Sequence, residues 1–227
     1  MIDLLKRISR EPMGLFGLIL VLVISISSLL AGVIAPYDPV ALNIADRLQG
    51  PSASHLLGTD QLGRDLFSRV LYGGQVALKV ALISISAALS VGVLLGMLAG
   101  FGPSWLDNLI MMFFDTIRSF PTVMFALATV ALVGPSLGTV IVVIVITSIP
   151  NYGRVIRTQT LSIKNNEFVQ AERVMGASLT RILGVHVLPN VIGPLLILAS
   201  MDIPTVIALE AGLSFLGMGV KPPTPSW

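Results

Sequence analysis

The chain contains no cysteine and only two histidines, His55 and His186. That excludes disulfides, thiolate metal sites and a cysteine nucleophile, and leaves the compartment undetermined. Charge is also scarce. Only 11% of the 227 residues are Asp, Glu, Lys or Arg, against about 25% in typical soluble domains. Meanwhile 54% are hydrophobic, and the mean hydropathy is +0.90. A soluble core of this length cannot use so much apolar surface, so the fold class expected is an all-α integral membrane protein. The net charge of +2 is too small to argue for nucleic acid as a partner. No Gly-rich phosphate loop ending in Lys-Ser or Lys-Thr is present, so ATP hydrolysis and its cofactors are not expected on this chain. Neither a His-Glu-x-x-His pair nor a Gly-x-Ser-x-Gly elbow occurs, so nothing supports a membrane-embedded enzyme. Internal repeats and low-complexity tracts are absent too.

What the chain does have is a series of long apolar runs. Lys6, Arg7 and Arg10 precede a charge-free run from Met13 to Ala35, long enough to cross a bilayer. It is longer than a signal-peptide core, and Pro36 follows its one cleavage-like stretch. We read residues 1–12 as a cytoplasmic N-terminus and 13–35 as the first span. Residues 36–75 are polar with balanced charge, as suits an extracytoplasmic segment. Within them, Leu62, Leu66, Phe67 and Val70 predict a short interfacial elbow helix. Asp65 lies four residues before Arg69, in position to pair with it, and Gly73-Gly74 is expected to end the helix. A capped, salt-bridged elbow accounts for His55, Asp60 and Asp65 without a metal ion.

Residues 76–227 form the expected membrane core. Val80 to Phe101 is the second span, with Gly92, Gly96 and Gly100 on one stripe that lets helices approach closely. Trp105 to Val133 is an irregular third span. It carries Asp107, and Asp115 and Arg118 on one face, and Phe120-Pro121 should kink or break it. Asp115 and Arg118 either neutralise each other, pair with a neighbouring helix, or serve a translocation pathway. The fourth span begins at Thr139, where lipid favours helix over strand despite β-branching, and is expected to break at Pro150. The fifth runs from Val187 to about Gly212. It is interrupted by Pro189, Pro194 and Pro204 and carries Asp202 and Glu210. Broken helices at membrane depth belong where protein or a water-filled path meets them. Asp202 and Glu210 are therefore pathway candidates, with Asp115 and Arg118.

Between the fourth and fifth spans lies the one long polar interruption, within residues 158–190. Phe168, Ala171, Val174 and Met175 fall on one face of a helix from Glu167 to Met175. Gly176 should end it, and Ser178 should cap a second short helix that ends near Pro189. That second helix carries Leu179, Ile182, Leu183 and Val187 on its oily side. Such a helix–Gly–helix element fits docking against another protein, or an amphipathic loop lying on the membrane surface. Lys164, Arg173 and Arg181 place it on the cytoplasmic side by the positive-inside rule.

This stretch resembles the coupling loop of ABC importer permeases. Its pattern is Glu-Ala-Ala, three residues, Gly, nine residues, then aliphatic-x-Leu-Pro. Ala171, Gly176, Leu188 and Pro189 fall on the pattern. Gln170, Glu172 and His186 stand where the family has Glu, Ala and the aliphatic residue. LGTD-x-LGRD-x-x-SR, from Leu57 to Arg69, resembles the dipeptide, oligopeptide and nickel branch, and residues 210–227 resemble its outer segment. The resemblance implies about five of the family's usual six spans, the given sequence ending before the sixth. It also implies an ATPase-coupling role for Glu167, Gln170, Ala171, Glu172, Gly176, Ala177, Ser178, Leu188 and Pro189. The implied partners are a second permease subunit, cytoplasmic ATPase subunits that hold ATP and magnesium, and an extracytoplasmic substrate-binding protein, all around a lipid bilayer. The cargo would be a small solute, with di- or oligopeptide foremost and a nickel complex as the alternative. An ion-coupled secondary transporter using Asp115, Asp202 or Glu210 is the rival that needs no ATPase.

Overall fold

The computed structural model describes residues 11–227. The basic residues Lys6, Arg7 and Arg10 lie outside the described residues. Among the described residues every regular element is helical. Four helices are long and apolar enough to cross a membrane, and counting one bent helix pair as a single span gives up to five. The chain divides into two compact units, Met1–Lys79 with Val220–Trp227, and Val80–Gly219.

In the first unit, α1 (Pro12–Leu29) starts with proline at its first position, where the missing N–H costs nothing. A short helical turn, Ala31–Ile34, continues it to Pro36. The following polar segment has one 3₁₀ turn, Ile44–Asp46, and is tied together by side chains. The Asp65 carboxylate accepts from the backbone N–H and the hydroxyl of Ser68 at 2.8 and 2.7 Å, capping α2 (Leu66–Phe101). Its other oxygen meets His55 Nδ1 at 2.9 Å. The expected Asp65–Arg69 pair does not form. Asp65 is committed to the cap, and Asp60 takes both cations, Arg64 at 2.7 Å and Arg69 at 3.8 Å.

The elbow is also not a separate helix. Gly73 and Gly74 lie inside α2, whose 36 residues reach about 54 Å at 1.5 Å per residue. The glycine pair makes room for an indole instead. A Cβ at Gly73 would lie 2.7 Å from Trp227 Cδ1, and one at Gly74 would lie 2.6 Å from Trp227 Cζ2. The Trp227 ring N–H donates to the Val70 carbonyl at 2.7 Å. That carbonyl's usual helical donor is the N–H of Gly74, so the ring N–H bonds beside the same close contact.

In the second unit, α5 (Leu137–Lys164) is the central post. Ser136 caps it by accepting from the Thr139 N–H. The glycine stripe of α2 packs on it one turn at a time. A Cβ at Gly92 would stand 2.7 Å from Tyr152 Cβ, one at Gly96 2.7 Å from Ile156 Cβ, and one at Gly100 2.8 Å from Thr160 Cβ. The fully buried Phe114 of α3 (Ser104–Arg118) lies against Gly153. The third span is broken as expected, with α3 and α4 (Thr122–Val133) meeting at 84° across Ser119–Pro121.

The other expected breaks do not occur. Pro150 sits inside α5, which runs unbroken to Lys164. Pro194 and Pro204 sit inside the last helix. The second loop helix does not end near Pro189 but continues into the last span as one helix, α7 (Leu179–Phe215). Its turn Ile182–Val187 is π-helical. The wider i→i+5 turn relieves the clash a proline ring makes with the carbonyl four residues back. Buried helices tolerate proline where packing holds both sides in line, and Pro150 is itself buried.

Two outcomes follow. Gly96→Leu should destabilise the α2–α5 contact by about 1–3 kcal/mol through overpacking, read as a lower thermal midpoint in detergent. Gly17→Leu, where nothing lies within 4 Å of the added Cβ, is the control. For the Asp65 cap, burial alone would raise the carboxyl pKa. The Ser68 N–H, the His55 ring and the Ser68 hydroxyl outweigh burial and hold it below the usual 3.8. A depressed folded-state pKa gives stability that is present above pH 3.8 and lost as the pH falls through the lowered value. Acid titration of Trp227 fluorescence in a Trp105→Phe background should show this loss, and Asp65→Asn should flatten it.

Candidate functional site: the loop surface and the polar face of the spans

The loop begins with α6 (Glu167–Val174). Gly176 takes φ +83°, a left-handed conformation that glycine adopts without strain. Its N–H donates to the Arg173 carbonyl at 3.0 Å, and that of Ala177 donates to Glu172 at 3.0 Å. This is the paired bonding of a Schellman stop. Ser178 then caps α7, its hydroxyl oxygen accepting from the Arg181 N–H at 3.4 Å. One side of this element is held. Val169, Ile182 and Val187 are fully buried. Lys164 Nζ donates to the Gly100 carbonyl at 3.2 Å, and the Arg173 guanidinium lies 4.6 Å from the Phe101 ring centre. The loop is therefore fastened to the end of α2 as well as to α5 and α7.

The other side is bare. Phe168, Val174, Met175 and Leu179 are exposed, Val174 at 89%, and Ala171 lies beside them, also exposed. An apolar face left open next to a well-packed one marks an interaction surface. Gln170, Glu167, Gly176, Ser178 and Pro189 are exposed as well, whereas Ala177 and Leu188 are half-buried.

The structure accounts for two departures from the loop pattern. Glu172 and His186 touch each other, with carboxylate and imidazole 3.4 Å apart, and Arg181 approaches the same carboxylate at 4.0 Å. The pair sets a polar contact between the two arms where the pattern has a small residue and an aliphatic one, and at 3.4 Å the ring nitrogen makes no hydrogen bond. The Phe168 ring meets the same imidazole tilted by 60°, with ring centres 5.8 Å apart.

The second cluster is a polar ladder on α5. Asp107 receives Arg157 on both oxygens at 2.5 and 2.6 Å. Asp115 receives Arg154 at 2.5 Å, and Arg118 donates to Asn151. Asp115 and Arg118 share a face, but each pairs across to α5 and not with the other. On the far side of α5, the fully buried Tyr152 donates its hydroxyl to Asp202 of α7 at 2.7 Å.

Asp202 borders a cavity of about 120 Å³ between α4, α5 and α7, also lined by Thr122, Thr147, Ser148, Asn151 and Thr205. Of the four pathway candidates, only Asp202 lines it. Arg118 reaches its rim through Asn151. Asp115 is held by Arg154, and the fully buried Glu210 accepts from the Ser214 hydroxyl at 2.7 Å. Arg154, Arg157 and Tyr152 were not among the residues singled out for a site. No spacing rule pairs α3 with α5, so the sequence carries no signal for them.

The chain's resemblance to known proteins matches this architecture. Residues 92–227 match the family described as the inner membrane component of binding-protein-dependent transport systems. Residues 1–51 match the N-terminal transmembrane domain of oligopeptide transport permease C. The dipeptide transport system permease protein of Alkalihalophilus pseudofirmus is 36% identical over 98% of this chain and 73% of its own length. The di/tripeptide transport system permease protein of Pseudomonas aeruginosa is 41% identical, over 94% of this chain and 73% of its own. The glutathione transport system permease protein of Pectobacterium atrosepticum is 39% identical over 98% and 74%.

The tie between the loop arms is testable. A double-mutant cycle on Glu172→Ala and His186→Leu should return a coupling of about 0.5 kcal/mol or more in thermal unfolding. The double variant, which restores the pattern residues, should be more stable than the sum of the single changes.

Proposed function

The chain belongs to the inner-membrane permease family of binding-protein-dependent ABC importers, and on that premise we propose that it carries di- or oligopeptides across a multi-pass path in a bacterial or archaeal inner membrane. The peptide cargo is supported by relatives whose names specify dipeptide, di/tripeptide and glutathione transport. Its working partners are a second permease subunit, cytoplasmic ATPase subunits and an extracytoplasmic binding protein. ATP and magnesium sit on the ATPase subunits, and hydrolysis occurs there. The N-terminus and the loop face the cytoplasm, with basic Lys164, Arg173 and Arg181 on the loop.

The observation that carries this reading is the loop's bare apolar face. Phe168, Val174, Met175 and Leu179 stay exposed while Val169 and Ile182 anchor the same element from beneath. An ATPase groove that receives this face can move the loop when the ATPase pair closes on nucleotide. The loop transmits that motion because its ends are continuous with membrane helices. α7 begins at Leu179 and runs to Phe215 without interruption, and α6 is pinned to α2 through Arg173 and Phe101. The ATPase can drive the permease only by binding one conformation better than another. Glu167, Gln170, Ala171, Gly176 and Ser178 form the contact edge. Glu172, Ala177, Leu188 and Pro189 shape it from behind.

Ala171→Glu places a charge on that face without changing the backbone. It should leave membrane insertion intact, reduce co-purification of the ATPase in mild detergent, and lower uptake more than tenfold. Gly176→Asp should do the same and also strain the Schellman stop. Full uptake with an unchanged ATPase complex in both variants would refute the coupling role.

A further inference from the structure

We infer that the cavity beside Asp202 is a subsite for a primary ammonium group, the α-amino head of a peptide in transit. The inference rests on the importer reading and adds to it a place and a chemistry of contact within the spans.

The argument starts from the cost of the carboxylate. An ionisable side chain within a span is expensive and faces protein or a water-filled cavity. Asp107 and Asp115 meet that cost with arginines. Asp202 does not. Its partner is the neutral hydroxyl of Tyr152, on Oδ2 alone, and among the described residues no Lys, Arg or His pairs with it. Tyr152 is fully buried, so its hydroxyl holds the carboxylate in one orientation at the cavity wall.

The rest of the lining supplies what an ammonium needs. Three N–H donors require acceptors, and a lone carboxylate cannot satisfy all three. Thr122, Thr147, Ser148, Asn151 and Thr205 bring hydroxyl and amide oxygens to the same space. The Thr147 hydroxyl proton is already spent on the Val143 carbonyl at 2.9 Å, which leaves its lone pairs as acceptors. The Asn151 amide oxygen is occupied by Arg118, so that cation marks the far edge of the site and not its centre.

Size narrows the ligand further. The cavity of about 120 Å³ has room for roughly four water-sized groups at about 30 Å³ each. That is room for an ammonium with its α-carbon. The remainder would extend past Thr122, Asn151 and Thr205, which are exposed. A polar opening of this kind is unsuited to lipid and suited to a pathway.

The test uses the full-length permease assembled with its partner subunits in nanodiscs, with dialanine and N-acetyl-dialanine as probes in saturation-transfer NMR. Dialanine should bind at least tenfold more tightly than its acetylated form. Asp202→Asn keeps the Tyr152 hydrogen bond and removes the charge, so it should bring dialanine down to the acetylated level. Thr205→Val, which leaves the carboxylate untouched, should weaken dialanine about threefold and guards against a variant that fails to assemble. Equal binding of the two probes, or dialanine binding unchanged in Asp202→Asn, overturns the subsite. ATP-driven dialanine uptake by the wild-type assembly with its binding protein is measured in parallel. Uptake with no amine preference sinks the subsite alone. Amine-selective binding without ATP-driven uptake upholds the subsite and sinks the importer reading.

Discussion

Hydrocarbon offers no water to a polar group, so every charge carried into the spans must be met by the protein. α5 is where that requirement is discharged. Asn151, Arg154 and Arg157 on one side take Arg118, Asp115 and Asp107 of α3. Tyr152 on another takes Asp202 of α7, and Gly153 leaves room for Phe114. The same helix carries Tyr152, Ile156 and Thr160 to the glycine stripe of α2. Close backbone approach on one side and polar ties on the others are two answers to one problem. Lipid gives helices no hydrophobic reason to associate, so van der Waals contact and hydrogen bonds must supply it.

The loop obeys a different rule. There the fold buries one side and leaves the other apolar and open, a pattern that a finished soluble surface avoids. The Schellman stop at Gly176 and the Ser178 cap fix the angle between the arms, and the Glu172–His186 contact braces it from the side. A contact surface positioned this firmly keeps little freedom to lose on binding, which favours association.

Much of this was legible in the chain. The apolar runs pointed to the long apolar helices, because runs of about twenty mostly apolar residues leave few alternatives. The Gly176 stop and the Ser178 cap were readable because each rests on a local backbone requirement. The 84° break at Phe120-Pro121 was readable too. The same proline rule misled at Pro150, Pro189, Pro194 and Pro204. Proline removes a bond, but whether the helix yields depends on neighbours that press on both sides of the gap, and sequence order does not contain them. Gly73 and Gly74 misled in the same way: they looked like a stop and serve as a seat for Trp227, more than 150 positions away. Asp115 and Arg118 were found but their partners were not, since pairing across helices depends on packing register.

The unbroken α7 joins the loop to the cavity in a single piece. Ser178 caps one end, and Asp202 stands six turns further on, two residues before Pro204. The π-helical turn Ile182–Val187 and Pro194 lie between the two points, so only the tilt they leave unabsorbed would reach the carboxylate as a sideways sweep. The Tyr152 hydroxyl, rooted in a different helix, would resist that sweep or let go of it. A single phenol would thereby register, deep among the helices, what has happened at the loop.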